Sequence, residues 1–407
     1  MDLRTFPATT AALLCLCVAP PTPARAADPI VATTATLNLR ESRTEENSSL
    51  EAEGRTPQYL TRLGEVRPDA TPALARLMRT TLCGGTLPPN VKAAMGFRVA
   101  QTCRSEYAAA HLRRIAKALP PLSTSDPRPK IAVRYADNLT RSVHGISNEE
   151  FAHLRVHFND AQIVELTLTT CFFNYFSRLA SGLRLQPEPW LATTAPRLPP
   201  TTQNPFAAAR VSLLTDDEIK TAADLAVSGA SSGLGVGIPN SRRAMARVPD
   251  IGGAWWDFLQ ASRKEEDVSR TTLLQVSLAV STLNGCRYCT VHQIVGLRRQ
   301  GVEVGKLLSL QKNDSQLTGE EKAAVDFARK LTKEPGSVTT ADWAALSARF
   351  PGNKAVSVLL QTCTFAFMNR FTDNLNLPSE EEAIHIYHEV YGDTRPQTSA
   401  LERKERP

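Results

Sequence analysis

The feature that most constrains this chain is a register it keeps with itself. At a shift of 181 residues Val99 lies over Val280, Tyr107 over Tyr288 and His111 over His292. Further along the shift becomes 192, and Lys130 meets Lys322, Leu139 meets Leu331, Phe158 meets Phe350, Cys171 meets Cys363 and Arg178 meets Arg370. One longer loop around residues 303–317 accounts for the change. A register of that kind predicts a duplication with a period near 185 residues, two copies of one unit. The unit is helical. Ile131, Ala132, Tyr135, Ala136 and Leu139 recur at spacings of three and four, as do Ala323, Ala324, Phe327, Ala328 and Leu331. Ser147-Asn-Glu-Glu150 and Thr318-Gly-Glu-Glu321 have the spacing of capping boxes. Strand-like alternation is nearly absent, so the expected fold is all-α in tandem.

The length of 407 residues suits two domains. The expected divisions are a polar linker at 27–56, a first copy at 57–185, a proline-rich connector at 186–204, a second copy at 205–392 and a polar tail at 393–407. A net charge of +6 spread over this length, with no dense basic run, argues against nucleic acid as a partner. The first 26 residues read as a signal peptide. Ala11 to Ala19 is an apolar run too short to span a bilayer, and Ala24-Arg25-Ala26 fits a cleavage site, giving a mature start near Ala27. The chain is therefore expected to be exported, periplasmic or secreted, with no membrane span.

Export leaves six cysteines: Cys83, Cys103, Cys171, Cys286, Cys289 and Cys363. The second copy reads Cys286-Arg-Tyr-Cys289-Thr-Val-His292 where the first reads Ser105-Glu-Tyr-Ala108-Ala-Ala-His111. Thiols needed for folding would be expected in both copies, so a pair in one copy points to chemistry. Positions i and i+3 share a helix face, close enough for a disulfide after modest adjustment. Asn284-Gly285 breaks the preceding helix and sets Cys286 in the first turn of the next, where free N–H groups and the dipole favour a thiolate. His292, one turn beyond Cys289, is the candidate proton carrier. A structural disulfide is the alternative. Zinc would need a fourth ligand from elsewhere, and covalent haem is excluded because Thr290, not histidine, follows Cys289. Gly229-Ala-Ser-Ser-Gly233 and Gly233-Leu-Gly-Val-Gly237 read as loop, since neither follows a strand. No cofactor is expected. Cys171 and Cys363 read as buried, inert thiols; Cys83 and Cys103 flank one predicted helix, and their pairing is open.

The run Leu278 to Cys289 resembles the carboxymuconolactone decarboxylase-like superfamily, in particular its alkylhydroperoxidase D branch. Arg98-Val-Ala-Gln with Ser105-Glu-Tyr107 looks like the cysteine-free version of the same segment. Further similar stretches are Ala209 to Glu218, Ala246 to Ile251 and Asn369 to Asn374. The resemblance implies an all-helical fold, a homo-oligomer, and a dithiol that reduces hydroperoxides or exchanges disulfides with an electron-donor protein. By it Cys289 is the attacking thiol, Cys286 the resolving thiol and His292 part of a proton relay. The branch carries histidine seven residues after the first cysteine, where this chain has Gln293. It also carries glutamate twelve residues before it, where this chain has Leu274, so the relay lacks its usual carboxylate. Two alternatives accompany this reading: a lyase or isomerase on a lactone carboxylate with His111 as base, and a non-enzymatic helical scaffold with a structural disulfide.

Overall fold

The computed structural model describes residues 57–188, 209–222, 238–263, 268–312 and 314–391. The stretches expected as signal peptide (1–26), linker (27–56) and tail (393–407), most of the expected proline-rich connector and the Gly229–Gly237 patterns lie outside the described residues. Within them the chain is all-α, with seventeen α-helices, one short 3-10 turn at Pro335–Ser337 and no strand. In the first half these are α1 (Gln58–Val66), α2 (Thr71–Cys83), α3 (Pro89–Thr102), α4 (Glu106–Ala118), α5 (Arg128–Arg141), α6 (Asn148–His157) and α7 (Asp160–Gly182). After α8 (Asp216–Ala222) come α9 (Asn240–Met245), α10 (Pro249–Ser262), α11 (Arg270–Asn284), α12 (Arg287–Arg299) and α13 (Val304–Lys312). The chain continues through α14 (Gly319–Lys333), α15 (Thr340–Arg349), α16 (Asn353–Asn374) and α17 (Glu381–Tyr391).

Local chemistry sets the helix starts. Both expected capping boxes form, at Ser147 and at Thr318, and two more appear at Asn159 and Thr339. In each, side chain and backbone satisfy two otherwise orphaned N–H groups. Helices α2, α3, α5 and α10 instead carry proline at their first or second residue, where its missing donor costs nothing.

Helix boundaries recur at the offsets of the sequence register. Glu106–Ala118 and Arg287–Arg299 differ by 181, and Asn148–His157 and Thr340–Arg349 by 192. The left-handed turn residues recur likewise: Arg104 (φ 55°) with Gly285 (φ 68°), and Arg184 (φ 53°) with Asn376 (φ 48°). Helix α13 falls in the longer loop around 303–317.

The core lies between α7 and α16, the two longest helices, which pack along each other. Both are buried on nearly every face. Gly182 lets them approach, since a Cβ there would fall 2.2 Å from Leu359 Cδ1. Trp255 of α10 stacks flat on Phe367 of α16, ring centroids 3.7 Å apart. One apolar cluster runs through both halves, and a smaller one joins α11, α12 and α17 through Leu278, Val291, Ile294 and Tyr387. Polar locks support the packing. Arg67 donates to Ser357 Oγ (3.1 Å) and to the carbonyls of Ala261 (3.3 Å) and Ser262 (3.0 Å) across the halves. Lys92 and Glu165 form a wholly buried ion pair at 2.6 Å, and Glu165 also accepts the N–H groups of Thr86 (2.8 Å) and Leu87 (3.0 Å).

No described helix is long and apolar enough to cross a membrane.

Candidate active site

Helix α11 ends where Gly285 turns left-handed, a conformation glycine adopts without steric cost. That turn delivers Cys286 to the N-cap of α12, where its sulfur accepts the Cys289 N–H at 3.4 Å. Cys289 follows three residues on, so both sulfurs face the same neighbour. That neighbour is Thr372 of α16: its Oγ1 lies 3.3 Å from Cys286 Sγ and 3.2 Å from Cys289 Sγ, and it donates to the Met368 carbonyl at 2.9 Å. All six cysteines among the described residues are free.

The expectation of an acidic thiol at Cys286 is corrected by its surroundings. Burial pushes the Cys286 thiol well up, the adjoining Cys289 and the charge of Asp373 push it further, and the Thr372 hydroxyl opposes them. A position at a helix N-terminus does not outweigh complete enclosure next to a carboxylate.

Asp373 is tied to the motif from two sides. Its Oδ1 accepts the Arg287 N–H at 3.2 Å at the start of α12. Its Oδ2 lies 2.6 Å from His144 Nδ1, at ion-pair distance although the angle is off the line of a hydrogen bond. His144 comes from the turn after α5, in the first half of the chain. Its Nε2 stands 3.1 Å from where a Cβ on Gly285 would be.

His292 is placed differently from the simple expectation. Its Nδ1 donates to the Tyr288 carbonyl at 2.7 Å and its Nε2 meets Glu380 Oε2 at 2.5 Å. Since a carbonyl can only accept, Nδ1 carries a proton, and Nε2 is the ring nitrogen turned to the Glu380 carboxyl. Burial alone would raise the Glu380 carboxyl, but hydrogen bonding and charge from His292 with the Asn240 N–H leave it below its ordinary value. Tyr288 completes the group: its hydroxyl donates to Glu380 Oε1 at 3.0 Å and its ring stacks on His292 with centroids 4.1 Å apart. The carboxylate that Leu274 cannot supply is therefore provided by Glu380, from just before α17. No described hydrogen bond joins His292 to either sulfur.

The first half holds the same arrangement without thiols. His111 Nε2 meets Glu188 Oε2 at 3.0 Å, Tyr107 donates to Glu188 Oε1 at 2.9 Å, and Gln58 N–H donates to that oxygen at 3.0 Å. In the second half Asn240 N–H makes the equivalent bond to Glu380 at 2.6 Å. Glu188 thus belongs to a buried polar group although it falls in the stretch expected as connector. Ser105 stands at the register position of Cys286, its hydroxyl buried without a partner.

Four residues of this neighbourhood escaped the sequence reading: His144, Thr372, Asp373 and Glu380. A signal for one was present. Leu185 and Glu188 repeat as Leu377 and Glu380 at the offset of 192. Thr372 and Asp373 lie in the Asn369–Asn374 stretch that the resemblance picked out without giving them a role, and His144 is brought in by packing. No group of three or more metal-ligating side chains occurs among the described residues.

Comparison with known proteins adds a family. Residues 249–330 match the carboxymuconolactone decarboxylase family, a span that contains Cys286, Cys289 and His292. The chain carries a carboxymuconolactone decarboxylase domain. One such domain is detected, and it takes in α10 to α13 and most of α14. Among solved structures, the debrominase Bmp8 is similar at 17% identity as a cysteine-to-alanine variant in complex with 2,3,4-tribromopyrrole. That match covers 44% of this chain and 95% of the other, with a TM-score of 0.38. The apo form of Bmp8 gives 18% identity, 44% and 96% coverage and the same TM-score of 0.38. No curated protein matches the chain.

Proposed function

We propose that this protein is an exported dithiol oxidoreductase of the alkylhydroperoxidase D type. It reduces hydroperoxides, or exchanges disulfides, through Cys286 and Cys289. The observation that carries the reading is that both sulfurs converge on one hydroxyl, Thr372, beside a buried imidazole–carboxylate pair. Cys289 attacks the terminal peroxide oxygen, forming a sulfenic acid and releasing an alcohol or water. Cys286 displaces the hydroxyl as water and closes the disulfide. His292 and Glu380 hold the proton that the leaving oxygen requires; the ring must swing from Glu380 or pass its proton through water, since it touches neither sulfur. An electron-donor protein then reopens the disulfide. The mature chain starts near Ala27 and assembles as a homo-oligomer.

The proposal includes a tandem duplication, in which the second copy kept the thiols and the first kept the Tyr107–His111–Glu188 group. Support comes from the recurring helix boundaries, the matched left-handed turns and the repeated tyrosine–histidine–glutamate hydrogen bonds. The first copy lends a part to the second: His144 places its imidazole beside Asp373.

The deciding experiment is peroxide consumption by the pre-reduced mature chain, with mass spectrometry of both cysteines before and after. Rapid loss of peroxide with a new Cys286–Cys289 disulfide is the expected result. A disulfide formed only with disulfide oxidants would restrict the activity to thiol exchange, and unchanged thiols would end the proposal.

His144 gives a separate prediction. The His144 imidazole lies against the Asp373 carboxylate that opposes ionisation of Cys286, and His144→Ala takes that neighbour away. The pH at which Cys286 is half-alkylated should rise in the variant, with alkylation at neutral pH slowed about tenfold, the equivalent of one pK unit. His144→Lys should restore most of the rate. An unshifted alkylation profile would show that His144 only packs.

A further inference from the structure

His111, His144 and His292 each face a carboxylate. His153 and His157 face each other. They lie four residues apart on α6, a spacing that puts two side chains on one face of a helix, one turn apart. Their ring centroids are 5.0 Å apart and the ring planes are inclined at 57°. Neither ring makes a hydrogen bond or an ion pair among the described residues. His153 is exposed and His157 partly so, which leaves both open to solvent.

The rest of α6 is committed elsewhere. Phe151 and Leu154 bury its inner face. Arg155, between the two histidines, turns to Asp160 (3.4 Å) and to the Arg210 carbonyl (2.6 Å). The Asp126 carboxylate, held by Arg128 at 2.8 Å, lies within electrostatic reach of His157. A helix dipole accounts for basic side chains in a last turn, where Arg155 and His157 stand, but His153 falls outside that turn. Nor does the helix need the pair in order to form. At the offset of 192 its positions become Ala345 and Arg349, and α15 forms there without histidine.

The separation of the rings fits a chelate. Two imidazoles on one tetrahedral metal, with metal–nitrogen bonds of about 2.0–2.1 Å, place their centroids roughly 5 Å apart. Histidines at i and i+4 are how a single helix offers two nitrogens to one metal. In the hydrolytic form of that motif glutamate follows the first histidine, whereas here Leu154 does, buried in the core. The pair therefore suits binding and not activation of water. We propose that His153 and His157 chelate a divalent transition-metal ion on the outer face of α6, with water or small donors in its remaining positions. Imidazole nitrogen suits copper, zinc and nickel, and copper(II) stands highest in the affinity order. Two protein ligands make an open site from which the metal exchanges, unlike a closed structural centre. The site is separate from the dithiol and does not rest on the reading of it.

The test uses the full mature chain with Cys286 and Cys289 both changed to serine, so that the thiol pair contributes no metal binding. After treatment with a chelator, copper(II) is added and followed by calorimetry and electron paramagnetic resonance. One equivalent bound with nitrogen splitting from two imidazoles is the expected result. His153→Gln and His157→Gln should each weaken that binding by about a hundredfold, the scale of losing one arm of a linked pair. Both positions face solvent, and unchanged helix content by circular dichroism shows that the variants fold. Arg155→His combined with His157→Gln keeps two histidines on α6 but puts them two residues apart, on different faces. Binding should stay weak in that double variant. Equal copper affinity in the parent and both single variants overturns the site, and full recovery in the double variant overturns chelation.

Discussion

Cys289→Ser is expected to lower peroxide or disulfide turnover by roughly three orders of magnitude or more, the scale seen when a covalent nucleophile is removed. Cys286→Ser should behave differently although its steady-state rate falls as far. With Cys289 intact, one equivalent of oxidant is consumed in a burst, leaving a sulfenic acid that cannot close. Single-turnover kinetics with mass spectrometry separate the two. If the two variants have exchanged behaviours, the attacking sulfur is Cys286 and the assignment by resemblance is reversed. The enclosure of Cys286 and the nearby Asp373 charge favour Cys289 as attacker, because they hold Cys286 in its protonated form.

The largest effect on stability is expected at Lys92. Its ammonium is wholly enclosed and lies 2.6 Å from the equally buried Glu165. Lys92→Met leaves Glu165 with an uncompensated charge, and loss of one partner of a buried pair costs about 3–5 kcal/mol. Glu165 also holds the Thr86 and Leu87 N–H groups, so it cannot simply turn to solvent. Adding Glu165→Gln to Lys92→Met should recover a large part of that loss, because the neutral amide keeps an acceptor for the loop and carries no charge. Chemical denaturation of the two single variants and the double variant measures the coupling. Additive losses would mean that the two side chains do not act as a pair.

Much of this fold was legible because helices declare themselves locally. The three-and-four spacing in α5 and α14 and the capping boxes at Ser147 and Thr318 depend on residues within a few positions of one another. So does the Asn284-Gly285 break, which delivers Cys286 to a helix start. Complete burial of Cys171 and Cys363 also followed from their apolar neighbours. The roles at the site were legible only along α12, although the resemblance also picked out Asn369 to Asn374. Thr372 and Asp373 lie more than eighty residues from the cysteines they serve and sit in a helix whose every face is enclosed, so no periodicity marks them. His144 reaches the site from the other half of the chain. Glu380 corrects the reading that Leu274 left the imidazole without a carboxylate: a glutamate far along the chain makes that contact. The low-pKa expectation for Cys286 failed because a helix N-terminus is a local feature, whereas burial is decided by what packs over it.

Thr372 has one hydroxyl proton and two lone pairs. That proton is committed to the Met368 carbonyl, so with both sulfurs reduced the lone pairs can only receive, one from each S–H. Ionisation of either sulfur reverses the direction of one contact: the hydroxyl must turn, release the carbonyl and donate to the anion. Closure of the disulfide removes the last sulfur proton, and the hydroxyl is left to return to Met368. A single rotor within α16 therefore leaves the Met368 carbonyl, one helical turn away, only while one sulfur is ionised, and that carbonyl registers the half-ionised state against the reduced pair and the disulfide alike.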